Sequence, residues 1–218
     1  MLPNEEGSTR RQLLQLIKVQ GSCRIRELAQ SLEVTEMAIR RHMHKLEEEG
    51  LITARAVRHG MGRPVLYYSL TVLADERFPR KYSQLTLDLL SELEEQPSGA
   101  QMIDSMFIGR RDKLEARYEE RMQHRSLKDR VMELAIIQNA GGYMAEWEST
   151  DEFEVYQLYE YNCPISQIAC RYRQACECEQ QLFEKLLDAD VERTQCLADG
   201  AACCTYKIRP KQKHLQHL

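Results

Sequence analysis

Between Arg24 and Leu70 the hydrophobic period of the sequence changes once, and that change limits the folds open to it. Ile25, Leu28, Ala29 and Leu32 recur at helical spacing, Glu33-Val34 breaks the run, and Thr35 can cap a second helix reaching to about Glu49. In that helix Ala38, Ile39, Met43 and Leu46 share the inner face, and Gly50 supplies a stop. Beyond Gly50 the pattern is that of strands. Residues 51–57 and 65–70 flank the turn Arg58-His59-Gly60-Met61-Gly62-Arg63-Pro64. Helix, short turn, helix and a basic hairpin make a winged helix-turn-helix. An earlier helix over residues 10–19 carries Leu13, Leu14, Leu16 and Ile17, with Ser8 or Thr9 as its cap and Gly21 as its end.

The outer face of the second helix bears Glu36, Met37, Arg40, Arg41 and His44, while His42 falls toward the core. Arg40 and Arg41, with Arg55, Arg58 and Arg63 on the hairpin, suit phosphates on both sides of a DNA groove. The early exposed positions Thr35, Glu36, Met37 and Arg40 are the ones that reach base edges. Charge is distributed to match. Residues 1–80 hold 13 Lys/Arg against 10 Asp/Glu, and the rest hold 17 against 24, within a net charge of −4. A basic front and an acidic back fit a nucleic-acid-binding module joined to a regulatory one.

The chain is expected to divide into three: a winged helix over 1–75, a helical linker and dimerisation region over 76–141, and an α+β cysteine-rich domain over 142–218. Residues 82–93, 100–125 and 128–139 show helical periods, broken by Pro97-Ser98-Gly99 and Gly141-Gly142. Long amphipathic helices after a winged helix either pair with their copies in a dimer or pack on their own subunit. Residues 143–148 and 153–161 alternate as a hairpin. Helices follow over 165–172, begun by Pro164, and over 174–187. Two more strands cover 191–197 and 203–208. The fold class is thus mainly α, closed by an α+β domain, with a frayed tail after Pro210.

Seven of the eight cysteines lie between Asn162 and Ile208. The charged start lacks the apolar run of a signal peptide, and no stretch reaches the length of a membrane span. A cytoplasmic, reducing setting turns such cysteines toward metal binding or redox chemistry. Cys163 next to a helix start, Cys176 near the start of the following helix and Cys204 on the last strand can converge on a metal. Their spacing, C-x12-C-x27-C, contains no CxxC pair and leaves zinc, an iron–sulfur cluster and redox thiols all open. Cys170, Cys178 and Cys203 read as small packed residues, Cys196 is less decided, and Cys23 belongs to the packing of the DNA module. His214 and His217 in the tail are not expected to be ligands.

The motifs Asn162-Cys163-Pro164-Ile165, Ala175-Cys176-Glu177, Val191-Glu192-Arg193 and Cys204-Thr205-Tyr206-Lys207-Ile208 lie in the C-terminal half. Gly142-Tyr143-Met144-Ala145, Gly62-Arg63-Pro64 and the run from Val34 to His42 lie further forward. Together they resemble the SufR-type iron–sulfur transcriptional regulators, winged-helix proteins of DeoR-like or ArsR-like grouping. The resemblance implies a homodimeric repressor of iron–sulfur cluster assembly (suf) genes. It also implies one cluster per subunit, 4Fe–4S or 2Fe–2S, on Cys163, Cys176 and Cys204. Some members carry a further cysteine between the second and last. Here Asp190 stands nearest that place, and Cys196 is the candidate fourth ligand. A dimer of winged helices is expected on a double-stranded operator with an inverted repeat. The alternative is a regulator of the same kind switched by zinc or by thiol oxidation. No P-loop, dinucleotide fingerprint, nucleophile elbow or paired His-Glu motif points to an enzyme.

Overall fold

The computed structural model describes residues 5–58, 60 and 63–211, with side chains from residue 9 onward. His59, Met61 and Gly62 of the hairpin turn lie outside the described residues, as do His214, His217 and the rest of the tail. The chain forms two compact units, residues 1–80 and 81–218.

The first unit holds α1 (Glu5–Gln20), α2 (Ile25–Ser31), α3 (Glu36–Glu48), β1 (Ile52–Val57), β2 (Val65–Leu70) and the short α4 (Val72–Asp75). Helix α1 begins at Glu5, so neither Ser8 nor Thr9 is its cap. Thr35 does cap α3: its Oγ1 accepts the Ala38 N–H at 3.3 Å, satisfying a donor that the first turn leaves unpaired. Glu27 performs a similar service for α2, its carboxylate accepting the Arg24 N–H at 2.7 Å. Leu13, Ile17, Leu28, Ile39, Met43 and Leu46 form the core and are all but sealed from solvent. Gly50 ends α3 at φ +68, a left-handed turn that glycine enters without steric cost. It delivers the chain into the antiparallel pair Ile52↔Leu70 through Val57↔Val65. The expected winged helix is what forms.

The second unit holds α5 (Tyr82–Glu94), α6 (Gly99–Met122), α7 (Leu127–Ala140), β3 (Ala145–Ser149), β4 (Tyr156–Glu160), α8 (Ser166–Arg171), α9 (Gln174–Leu187), β5 (Ala189–Gln195) and β6 (Cys204–Pro210). A short 3₁₀ turn, Leu197–Asp199, lies between β5 and β6. The strands make one antiparallel sheet in the order β3-β4-β6-β5. Helix α9 lies on the sheet, where Phe183 meets Tyr206 edge to face at 5.0 Å between ring centroids. Leu134 and Ile137 of α7, Phe107 and Leu114 of α6 and Leu158 of β4 join that same core. The helices of 99–140 and the C-terminal sheet are therefore one packed body, not a linker and a separate domain. Between α5 and α6 the backbone folds so tightly that a Cβ on Gly99 would sit 2.0 Å from the Leu93 carbonyl oxygen. Only glycine fits there.

Candidate functional site

Four of the cysteines come together at one end of the sheet. Cys163 lies in the turn between β4 and α8, Cys176 in the first turn of α9, Cys196 just past β5, and Cys204 at the start of β6. Register explains the meeting. Glu160 at the end of β4 pairs with Cys204, which places the chain leading into Cys163 beside β6. Gln195 at the end of β5 pairs with Thr205 on the other edge of β6. The thiol of Cys196 lies against those of Cys176 and Cys204, and its charge would be felt at Cys163.

Backbone donors already aim at two of these sulfurs. The Leu197 N–H points to Cys204 Sγ at 3.3 Å, and the Ile165 N–H donates to Cys163 Sγ. Such N–H groups stabilise thiolates and tune the potential of any cluster they hold. Arg193 of β5 donates from Nη1 to the Cys176 carbonyl at 2.7 Å and brings positive charge to Cys176 and Cys196. Burial nevertheless dominates. It pushes the Cys163 thiol up to about 11 and those of Cys176 and Cys204 up to about 12. Burial thus favours the neutral thiol at Cys163, Cys176 and Cys204. Among the described residues no group of three or more His, Cys, Asp or Glu is set closely enough to hold a single metal ion. The donor set itself suits soft metals: thiolates select zinc and iron–sulfur clusters over hard cations.

Two features differ from the sequence reading. Helical pattern puts Pro164 at the opening of a helix with Cys163 at its cap, but α8 starts at Ser166. Cys163 is thus served by the Ile165 N–H, through a turn in which the Ser166 N–H donates to its carbonyl. Cys170, expected to be packed, is exposed on the six-residue α8. The other extra cysteines turn away from the group. Cys178 is buried beside a cavity of about 180 Å³ that also touches Arg111 and Leu182, and Cys203 faces Gln195 and Thr205. Cys23 is sealed in the core of the first unit, as expected.

A buried polar layer adjoins the thiols. Glu160 is 1% exposed and accepts a 2.6 Å hydrogen bond from Gln138 Nε2. Tyr206 donates to Glu179 Oε2 at 3.3 Å, Tyr143 donates to the same carboxyl, and Tyr206 also reaches Glu160. Burial raises both carboxyls above their ordinary range and holds Tyr143 and Tyr206 in the neutral form. The strand phase carried a signal for one of these residues. Tyr156, Leu158 and Glu160 alternate inward, so an acid stands where an apolar residue belongs.

On the first unit Thr35, Glu36, Met37, Arg40, Arg41 and His44 are all exposed along one side of α3, and Met37 is 78% exposed. His42 is buried. Glu36 pairs with Arg40 at 3.4 Å and His44 with Glu48 at 3.7 Å, both across one helical turn. Surface pairs of this kind are worth about 0–1 kcal/mol and yield readily to a phosphate. Arg55, Arg58 and Arg63 are exposed on the hairpin. Met37 is thus an unburied apolar side chain on the same side of the helix as Glu36, Arg40 and Arg41.

This unit is a winged helix-turn-helix domain, the architecture of DNA-binding modules. More narrowly, residues 10–57 match the family model of the DeoR-like helix-turn-helix domain. Among curated proteins none matches the chain. Of solved structures, a cysteine-to-serine mutant of Lactococcus lactis ZitR is 24% identical over 47% of this chain and 70% of its own, with a TM-score of 0.27. Bacillus subtilis PadR in complex with operator DNA is 13% identical over 82% of this chain and 97% of its own, with a TM-score of 0.29. Neither likeness, at these TM-scores, defines the architecture of this chain. Among the described residues no helix is long and apolar enough to cross a membrane.

Proposed function

We propose that the chain is a transcriptional repressor that binds operator DNA through α3 and the hairpin and senses iron–sulfur clusters at Cys163, Cys176 and Cys204, controlling cluster assembly genes. The observation that carries the reading is the gathering of these three thiols about Cys196, from three separate elements, in a chain that also bears a winged helix. The residues fit the group in donor chemistry, in the N–H donors aimed at two sulfurs and in the cation Arg193 beside them. When bound, the cluster supplies a tie that depends on iron and on redox state. The chain's own part is to hold the β4–α8 turn, the first turn of α9 and the start of β6 in one arrangement. Loss of that tie would make the DNA-bound geometry a minor state, and a coupling of about 1–3 kcal/mol changes occupancy some 5- to 150-fold. The sign, with the loaded form binding tighter, follows the resemblance.

Homodimerisation belongs to the same proposal. Tyr82, Leu85 and Leu89 on α5 and Met102 and Met106 on α6 are exposed apolar residues at helical spacing, a face that a second copy would cover. Two winged helices related by a two-fold axis would read an inverted repeat. The test is anaerobic purification with iron and sulfide analysis. It is followed by titration of DNA from upstream of cluster assembly genes with loaded and stripped protein at equal salt. Equal or tighter binding by the stripped form sinks the mechanism.

A second reading has one observation in its favour. Cys196 follows the end of β5 and its thiol neighbours that of Cys204 at the start of β6, so a peroxide could take two electrons and two protons from them, giving a disulfide and two waters. A colourless preparation with stoichiometric zinc, or with this disulfide forming reversibly, would favour a zinc- or thiol-switched regulator.

A further inference from the structure

We propose that Cys196 is the fourth protein ligand of the thiol site, where the resemblance points to the place of Asp190; this deepens the cluster-binding reading and rests on it. Asp190 is exposed at the far end of β5, paired with Arg209 near the end of β6. Five residue steps along the strand take it to Gln195, roughly 16 Å at about 3.3 Å per residue. It cannot reach the sulfurs of Cys176 and Cys204 while β5 keeps its register.

Cys196 reaches them because β5 is irregular. Ala189, Val191 and Arg193 face inward in strict alternation, which by itself would place Gln195 inward and Cys196 outward. The pairing shifts between Arg193 and Gln195. Arg193 opposes Tyr206 and Gln195 opposes Thr205, so Thr194 is an extra residue. This bulge reverses the alternation. Gln195 turns out to meet the Thr205 hydroxyl, and Cys196 turns in and is buried. It lies one residue past the Gln195–Thr205 pair, with its thiol against those of Cys176 and Cys204. The next residue, Leu197, donates its N–H to the Cys204 sulfur. The same short loop thus supplies both a sulfur and a backbone donor. No other thiol competes: Cys170 is exposed, Cys178 faces the cavity beside Arg111, and Cys203 faces Gln195. Four thiolates complete the protein coordination of a cluster or of tetrahedral zinc, whereas three leave a position open.

The test uses the full chain, purified anaerobically, as wild type, Cys196→Ser, Cys196→Ala, Asp190→Ala and Cys178→Ser. Melting curves establish that each variant folds. Loss of iron and sulfide, or a changed visible spectrum, in both Cys196 variants is expected, with Asp190→Ala and Cys178→Ser like wild type. Retention of the wild-type iron, sulfide and spectrum by the Cys196 variants overturns the assignment. Cobalt(II) titration separates this result from failure of the cluster reading itself. If the wild type takes up no iron, a sulfur-to-cobalt charge-transfer band that falls by about a quarter in Cys196→Ser still identifies one ligand in four. An unchanged band removes Cys196 from the site. A wild type that binds neither iron nor cobalt removes both proposals together.

Discussion

The two units solve opposite problems of placement. In the first, every side chain assigned to DNA is exposed, and most lie on one helix within ten residues of one another. In the second, three of the four gathered thiols are buried, and they come from a turn, a helix start and two strand ends spread over 42 positions. A surface that meets a polyanion must keep its charges in water, so helical period alone can lay it out. A site that shelters reactive sulfur must exclude water, which requires walls from several elements. Function that is local in sequence and function that is local only in space therefore leave different traces.

The strongest way to break this contrast is to remove a buried thiol. Cys176→Ser or Cys204→Ser should abolish bound iron in the anaerobically purified chain. A variant that retained wild-type iron and sulfide would show that the gathering is mere packing. Next in size is the independence of the two cores. Leu158→Ala should cost about 2–5 kcal/mol in the second unit, and Leu28→Ala a like amount in the first. The single tryptophan, Trp147, stands on β3 and reports only the second unit. Its fluorescence midpoint in urea should move with Leu158→Ala and stay put with Leu28→Ala. Equal movement by both would mean that the units unfold as one.

Smaller effects sharpen the DNA side. Met37→Ala should relax discrimination at one base pair by about 1–3 kcal/mol. Arg63→Ala should weaken binding to all sequences and reduce the salt slope by about one unit. Competition assays across a salt series distinguish the two, and an Arg63 variant with unchanged slope takes the hairpin out of the interface. The smallest effect expected is that of a helix cap. Ser126 Oγ accepts the Asp129 N–H at 3.2 Å at the start of α7, and Ser126→Ala should cost about 1 kcal/mol, read as a shift of the same fluorescence midpoint. No shift would mean that solvent replaces the cap at no cost.

Much of this is legible in the residues alone, and the exceptions have physical reasons. The winged helix can be read because Thr35, Gly50 and the change of period after it are local signals with local causes. The strand–strand–helix–helix–strand–strand order of residues 142–218 can be read for the same reason. Packing at a distance cannot. The periods of 99–140 give helices but not the core that they share with the sheet. Glu160 is visible as an acid in an inward phase, yet its partners Gln138, Tyr206 and Glu179 come from other elements. Cys170 is exposed, against expectation, because Ala169 takes the inward position on the short α8 and its neighbour turns out. Cys196 stays undecided in the sequence because simple alternation along residues 189–195 points it the wrong way.

That last detail has a consequence for how such a site can be lost. Substitution removes a chemical group, but the place of Cys196 depends on the bulge that leaves Thr194 unpaired. Deleting Thr194 would give a regular strand and still leave Cys196 facing inward, whereas pairing Thr194 regularly with Thr205 would turn Gln195 inward in its stead. A chain that lost the bulge in that second way would match its parent in cysteine content and lack one wall of the site. Register, not inventory, is what this corner of the molecule has to preserve.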